Sequence, residues 1–140
     1  MEESLVPGLV GEARTRVTED VTARRFGSGS VDVFATPAMV ALMEEAAIRA
    51  VDHLLPPGSA TVGSSLEVRH LAPTPVGLNV VARATLREVH GRRLVFDVEA
   101  FDDLERIGEG RHERVVVDLG RFHQRAAGKA RPAHGEASVT

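Results

Sequence analysis

Hydrophobic and polar positions follow two periods along this chain. From Ala38 to Leu55 the sequence AMVALMEEAAIRAVDHLL is apolar at nearly every position. Projected at about 100° per residue, Glu45, Arg49 and Asp52 gather within roughly 60° of one another as a narrow wet stripe. Glu45 and Arg49 are also an i, i+4 pair in the favourable orientation. Thr36 offers an N-cap hydroxyl and Pro37 a first helical position that needs no N–H. Pro56-Pro57-Gly58 ends the run. So little polar surface predicts a helix wrapped by other structure.

Elsewhere the period is two. Glu12 to Thr18 reads as a first strand. Thr61 to Leu71 alternates, with Val62, Leu66 and Val68 on one face and Glu67 and Arg69 on the other. Leu78 to Val89 follows, then a turn at His90-Gly91, then Arg93 to Phe101 with Leu94, Phe96, Val98 and Ala100 in phase. A turn after Asp102-Asp103 leads into Ile107 to Asp118, which carries Val115-Val116-Val117. Turns this short join antiparallel strands. One strand, one buried helix and four strands in a meander predict an α+β fold, a curved antiparallel sheet of about five strands around a central helix.

With 140 residues the chain fits one domain, expected over residues 9–123. The first eight residues are expected to fray. From Gln124 the sequence QRAAGKARPAHGEASVT has only small apolar residues and no period, so residues 124–140 are expected to form a flexible tail.

Composition removes several classes of function. The longest stretch free of Asp, Glu, Lys and Arg is 14 residues, His53 to Leu66, too short and too polar for a bilayer span. The start, Met1-Glu2-Glu3, is acidic where a secretory signal needs positive charge, which points to a cytoplasmic protein. The absence of cysteine excludes a disulfide scaffold, a thiol nucleophile and a thiolate metal site. A net charge of −3 argues against a broad polyanion-binding surface, so neither nucleic acid nor membrane is an expected partner.

Three side chains carry candidate chemistry. Glu44 lies outside the wet stripe, on the side of the helix that holds Val40, Ala47 and Val51. A carboxylate there either snorkels to the sheet edge or finds a partner or pocket, since an unpaired charge among apolar side chains costs several kcal/mol. His70 shares parity with Leu66 and Val68 near the end of its strand, just before Pro73 and Pro75 turn the chain. It is either a satisfied half-buried ring or a proton carrier at a rim open to substrate. Thr36 is explained as an N-cap, and its hydroxyl also stands where helix N–H groups favour developing negative charge. His53, His90, His112 and His123 show no metal-binding spacing, so no metal is assigned. Gly108-Glu109-Gly110 within a strand marks a bulge or a close backbone approach. Arg92-Arg93 at a hairpin reads as a solvated turn or as a contact for phosphate groups.

The order of elements is that of the hotdog fold. The segments VFATPAMVALMEEAAIRA (Val33 to Ala50), GSSLEVRHLAPTPVG (Gly63 to Gly77), EVHGRRLVFDVEA (Glu88 to Ala100) and IGEGRHERVVV (Ile107 to Val117) resemble the thioesterase family of fluoroacetyl-coenzyme A thioesterase. The resemblance implies an acyl-coenzyme A thioesterase with a Thr, Glu and His constellation at Thr36, Glu44 and His70. It implies a glycine backbone near the acyl carbonyl at Gly63 and an arginine of the last strand at Arg114. It also implies a homodimer with two sites at the subunit interface, and no cofactor apart from the coenzyme A of the substrate. The fluoroacetyl-specific enzyme has bulky aromatics as a lid before its Thr, where this chain has Phe26-Gly27-Ser28-Gly29-Ser30. A Gly/Ser loop cannot form that cover, so a short or medium acyl thioester without strict fluoroacetyl preference is expected. A non-catalytic acyl-coenzyme A binding module on the same pocket is the alternative. A hotdog dehydratase ranks below both, because its usual Asp/His pairing on the central helix is not evident.

Overall fold

The computed structural model describes residues 4–130. Five strands, β1 (Val10–Arg16), β2 (Ser59–His70), β3 (Asn79–His90), β4 (Arg93–Asp102) and β5 (Arg106–Asp118), form one antiparallel sheet. Three helices accompany it: α1 (Ala23–Phe26), α2 (Thr36–Val51) and α3 (Leu119–Gly128). The sheet packs around α2, as the α+β hotdog arrangement requires. Met39, Met43, Ala46, Ala47 and Val51 of α2 are fully buried together with Leu86, Leu94, Phe96 and Ile107 of the sheet. Small residues set the approach of α2 to β1. A Cβ on Gly11 would collide with the Ala46 carbonyl and the Ala50 amide, so the strand can lie against the helix only as glycine.

The strand order is β1-β3-β4-β5-β2. Only β3, β4 and β5 form the meander; β2 pairs with β5 and not with its neighbour in sequence, β3. This corrects the four-strand meander and explains the apolar Val115-Val116-Val117. That run lies between β4 and β2, and Val116 is buried there, so it is no open edge. The open edges are β1 and β2.

A register shift between Gly63 and Ser65 places one extra residue in β2. Such a bulge rephases the strand. Thr61 and Gly63 oppose the buried Val116 and Arg114, while Leu66 opposes the buried His112. Odd positions face inward before the bulge and even positions after it. Val62 therefore does not share a face with Leu66 and Val68, contrary to strict alternation; His70 does.

Helix α2 stops at Val51, and Asp52 to Leu54 form a 3₁₀ turn, so the helix is four residues shorter than the apolar run suggests. Its N-cap is Ala35, with Thr36 already helical and no side-chain cap present. The N-cap role expected of Thr36 is thus not the one its hydroxyl performs. At the other end of the chain Asp118 caps α3 by accepting the Arg121 N–H at 2.9 Å. Residues 124–128, expected as tail, are helical; residues 131–140 lie outside the described residues. Near the start, Leu5 is buried in the core and the Gly8 N–H donates to Leu86 O at 2.8 Å, so ordered structure begins earlier than Gly8.

Candidate active site

The freed Thr36 hydroxyl meets the end of β2. Its Oγ1 lies 2.7 Å from His70 Nδ1. The other ring nitrogen, Nε2, is buried and has no hydrogen-bond partner among the described residues. Burial lowers the His70 pKa below its usual value, which keeps the ring neutral at pH 7. Pro37 helps to keep Thr36 in place: a proline early in the helix fixes the turn that presents the hydroxyl.

Thr36 and His70 open into a cleft of about 370 Å³. Its apolar wall comes from Val31, Val33, Phe34 and Leu71, and its rim includes Ser28 and Gly29. The Gly/Ser loop is tethered on both sides. Ala23 N–H donates to Val33 O at 2.8 Å, Ser28 N–H to Ala23 O at 3.0 Å, and Arg24 Nε to Asp32 Oδ1 at 2.8 Å. Phe26, the one aromatic of that loop, does not line the cleft and is half exposed. A larger depression, about 770 Å³, lies on the sheet among Arg69, Arg87, Arg106, Asp97, Glu99 and Glu109. Three of its arginines are engaged with carboxylates, Arg69 with Glu109, Arg87 with Asp97 at 2.6 Å and Arg106 with Glu109 at 3.1 Å. The smaller cleft holds the candidate chemistry.

Glu44 sits two turns further along α2, about 12 Å from Thr36 at the usual 1.5 Å per residue. It faces the bulged part of β2. A Cβ on Gly63 would stand 2.6 Å from Glu44 Oε2 and 3.2 Å from His112 Cε1. The glycine is what lets the strand backbone pass over the carboxylate. Arg114 Nη1 lies 3.6 Å from Glu44 Oε2. The charge on α2 thus has a cation beside it and is not stranded among apolar groups.

Arg114 is itself buried and held on three sides. Nε donates to Thr61 Oγ1 at 2.7 Å, Nη2 to Thr61 O at 3.0 Å, and Nη1 reaches His112 Nε2 at 3.0 Å. Behind Thr61 stands Asp52, which accepts the Thr61 hydroxyl at 2.6 Å and its N–H at 3.1 Å. Behind His112 stands the Ser65 carbonyl, 2.9 Å from Nδ1. Burial pulls the His112 pKa down; the Ser65 hydrogen bond opposes this, the Arg114 charge adds to it and Glu44 opposes it. Burial likewise lowers Arg114, against the raising charges of Asp52 and Glu44, yet a guanidinium keeps its proton in any case.

The five residues expected at the site therefore form two clusters in one chain: Thr36 with His70, and Glu44 with Gly63 and Arg114. Asp52, Thr61 and His112 were not foreseen there. Asp52 projects with the wet stripe only if α2 continues helically, and the change to a 3₁₀ turn carries it to Thr61 instead. His112 and Arg114 share parity with Val116, which was the available signal that both point inward. The Gly108-Glu109-Gly110 pattern marks close approach: a Cβ on Gly108 would lie 2.5 Å from Met39 Sδ. At the hairpin, Arg93 pairs with Glu113 at 3.2 Å and Arg92 donates to Val116 O at 3.2 Å. Among the described residues no three His, Asp or Glu side chains converge as metal ligands, and no helix is long and apolar enough to cross a membrane.

Comparison with known proteins finds relatives that share this fold. Residues 17–119 match the family model of the fluoroacetyl-CoA-specific thioesterase. The fluoroacetyl-CoA thioesterase of Streptantibioticus cattleyicolor is 46% identical over 98 residues, which cover 70% of each chain. A threonine-to-serine variant of a fluoroacetyl-CoA thioesterase, solved with acetyl-CoA, superposes with a TM-score of 0.85 at 37% identity, covering 91% of this chain and all of that one. A thioesterase superfamily member from Thermus thermophilus gives a TM-score of 0.81 at 32% identity over 87% of this chain and 90% of its own. A match that runs from just after β1 to the start of α3, and so contains both clusters, leaves one assignment: this chain belongs to the fluoroacetyl-CoA-specific thioesterase family.

Proposed function

We propose that this protein hydrolyses short or medium acyl-coenzyme A thioesters as a homodimer whose site joins the Thr36–His70 cluster of one protomer to the Glu44 cluster of its partner. The observation that carries the reading is the pairing of Glu44 with Arg114 over a glycine backbone, opposite an open strand edge. Within one chain Gly63 and His70 are seven residues apart along β2, roughly 20 Å at strand rise, so Glu44 and His70 cannot serve one thioester together. Strand β2 has its outer edge unpaired, and long unpaired edges are ordinarily covered. Antiparallel pairing of β2 with its copy, centred near Leu66 and Glu67, sets Gly63 opposite the partner's His70. Each such site then has an acyl cleft, a neutral imidazole and a carboxylate.

In that site the thioester carbonyl is polarised by the Gly63 N–H and by the Thr36 hydroxyl. Glu44 either attacks the carbonyl carbon, expelling coenzyme A thiolate and leaving a mixed anhydride that water then opens, or takes a proton from the water that attacks. His70, neutral at the start, relays to the departing thiolate the proton given up by the water that is consumed. A single turnover in oxygen-18 water separates the routes, since label in the Glu44 carboxylate requires the anhydride. Coenzyme A release from a panel of acyl-coenzyme A substrates tests the whole reading. Thiol release with acetyl- and longer acyl groups supports it; binding without release from any of them supports the acyl-coenzyme A sensor instead.

A further inference from the structure

Resting on the reading of Glu44 as the reacting carboxylate, we propose that His112 is a positioning residue that fixes Glu44 through Arg114. The directions of its two hydrogen bonds require this. The Ser65 carbonyl can only accept, so Nδ1, 2.9 Å away, carries a proton. The Arg114 Nη1 group can only donate, so Nε2, 3.0 Å away, is bare. Together these partners admit one form of the ring, the neutral Nδ1–H tautomer. The ring is fully buried, which leaves no water to serve an alternative.

The same reasoning fixes every link of the chain. Thr61 Oγ1 accepts from Arg114 Nε, so its own hydrogen goes to Asp52. The guanidinium is gripped through Nε and Nη2 by Thr61 and through Nη1 by His112, and that same Nη1 lies 3.6 Å from Glu44 Oε2. The charged groups around the ring are Arg114 on its own strand, Glu44 from α2 and, beyond Thr61, Asp52. A second proton on His112 would set donor against donor and cation against cation inside the core. Arg114 would have to turn, and Glu44 would lose the cation that holds its charge and its place.

Nitrogen-15 NMR of the histidine rings tests the tautomer without any catalysis. His112 is expected to show the neutral Nδ1–H pattern still at about pH 6.5, where an unperturbed ring is half protonated. An Nε2–H pattern, or titration with an ordinary midpoint near ~6.5, overturns the proposal. Kinetics test the role. His112→Phe keeps a ring but offers Arg114 no acceptor; His112→Gln keeps an acceptor and a donor without titrating. The Phe variant should lose about 10²-fold in kcat, the scale of a misplacement near 1 Å, with KM within about twofold of the parent. His112→Gln should recover most of kcat. Equal losses in both variants, or none in either, overturn the proposal. If His112→Phe fails to fold, the Gln variant and the ring spectra decide between these outcomes. Should the unaltered protein release no thiol from any acyl-coenzyme A, the reading of Glu44 fails and the positioning role with it, while the spectra still decide the tautomer.

Discussion

Replacing Gly63 by alanine adds one methyl group at the point where β2 crosses Glu44. The new Cβ would lie 2.6 Å from Glu44 Oε2, 3.2 Å from His112 Cε1 and 3.4 Å from Arg114 Nη1. A carbon and a carboxylate oxygen do not approach closer than ~3.2 Å, so about 0.6 Å must be found. His112 and Arg114 are locked by their hydrogen bonds, and the free end of Glu44 is what yields. Overpacking that a flexible side chain can relieve belongs at the low end of the 1–3 kcal/mol range, about 1 kcal/mol. Catalysis has no such tolerance, and a shift approaching 1 Å costs up to about 10²-fold. Gly63→Ala should therefore lose roughly 10- to 100-fold in kcat/KM while its unfolding midpoint moves by only a few degrees. Gly11→Ala supplies the contrast, because its methyl group meets helix backbone that cannot move. That variant should lose several-fold more stability than Gly63→Ala. Thiol-release kinetics beside thermal unfolding of both proteins makes the comparison. Full activity in Gly63→Ala would refute the claim that this glycine exists for the carboxylate, as would a stability loss as large as that of Gly11→Ala.

Further outcomes follow from the same geometry. Glu44→Gln and His70→Ala should each reduce kcat by ~100-fold or more, whereas Glu45→Gln, on the exposed side and paired with Arg49 at 2.8 Å, should change little; an equal loss in Glu45→Gln would mean that the helix faces are misassigned. Fluoroacetyl- and acetyl-coenzyme A should differ in kcat/KM by far less than about 10⁴, since one small substituent is worth only about 1–3 kcal/mol and the Ser28-Gly29 rim adds no aromatic contact. A ratio above that bound would require a lid elsewhere in the chain. Burial lowers the pKa values of His70 and His112 in the folded protein. Below the unfolded value of about 6.5 the unfolded chain then binds more protons, so unfolding free energy should be level just above that pH and decline as pH falls toward the folded values. Urea titrations between about pH 7.5 and 5.5 that show stability rising on acidification would contradict this. Sedimentation at micromolar concentration should give a dimer, and a folded, stable monomer would remove the shared-site reading of β2.

Much of the architecture was legible because it depends on local pattern. The apolar run over α2 and the alternation in β3, β4 and β5 name their elements within a residue or two, apart from the C-terminal end of α2. What could not be read was pairing at a distance. The short turns are as compatible with β2 beside β3 as with β2 beside β5, and only the packed sheet decides it. The bulge near Ser64 was equally hidden, because Val62, Leu66 and Val68 look like one face when no residue is inserted between them. Glu44, His70 and Thr36 came from a misfit of polarity to pattern and from family resemblance together. The supporting Asp52 and Thr61 gave no comparable sign, and His112 only its shared parity with Val116. Asp52 and Thr61 are ordinary polar residues in their own segments, and their meaning lies in partners nine residues away or across a strand pair.

The position of β2 also governs how this molecule comes together. Strands β3, β4 and β5 are joined by tight hairpins and can zip up from neighbours in sequence, while β2 must wait for β5, some 50 residues on, before any of its backbone is paired. Closing that loop costs entropy that hairpins do not incur. Strand β2 therefore docks late onto a finished meander and is among the first elements to detach, with one flank unsupported in a single chain. Both Gly63 and His70 ride on it. Loss of chemistry on dilution or warming should then precede loss of the fold, because β2, which carries Gly63 and His70, leaves one flank open in a single chain.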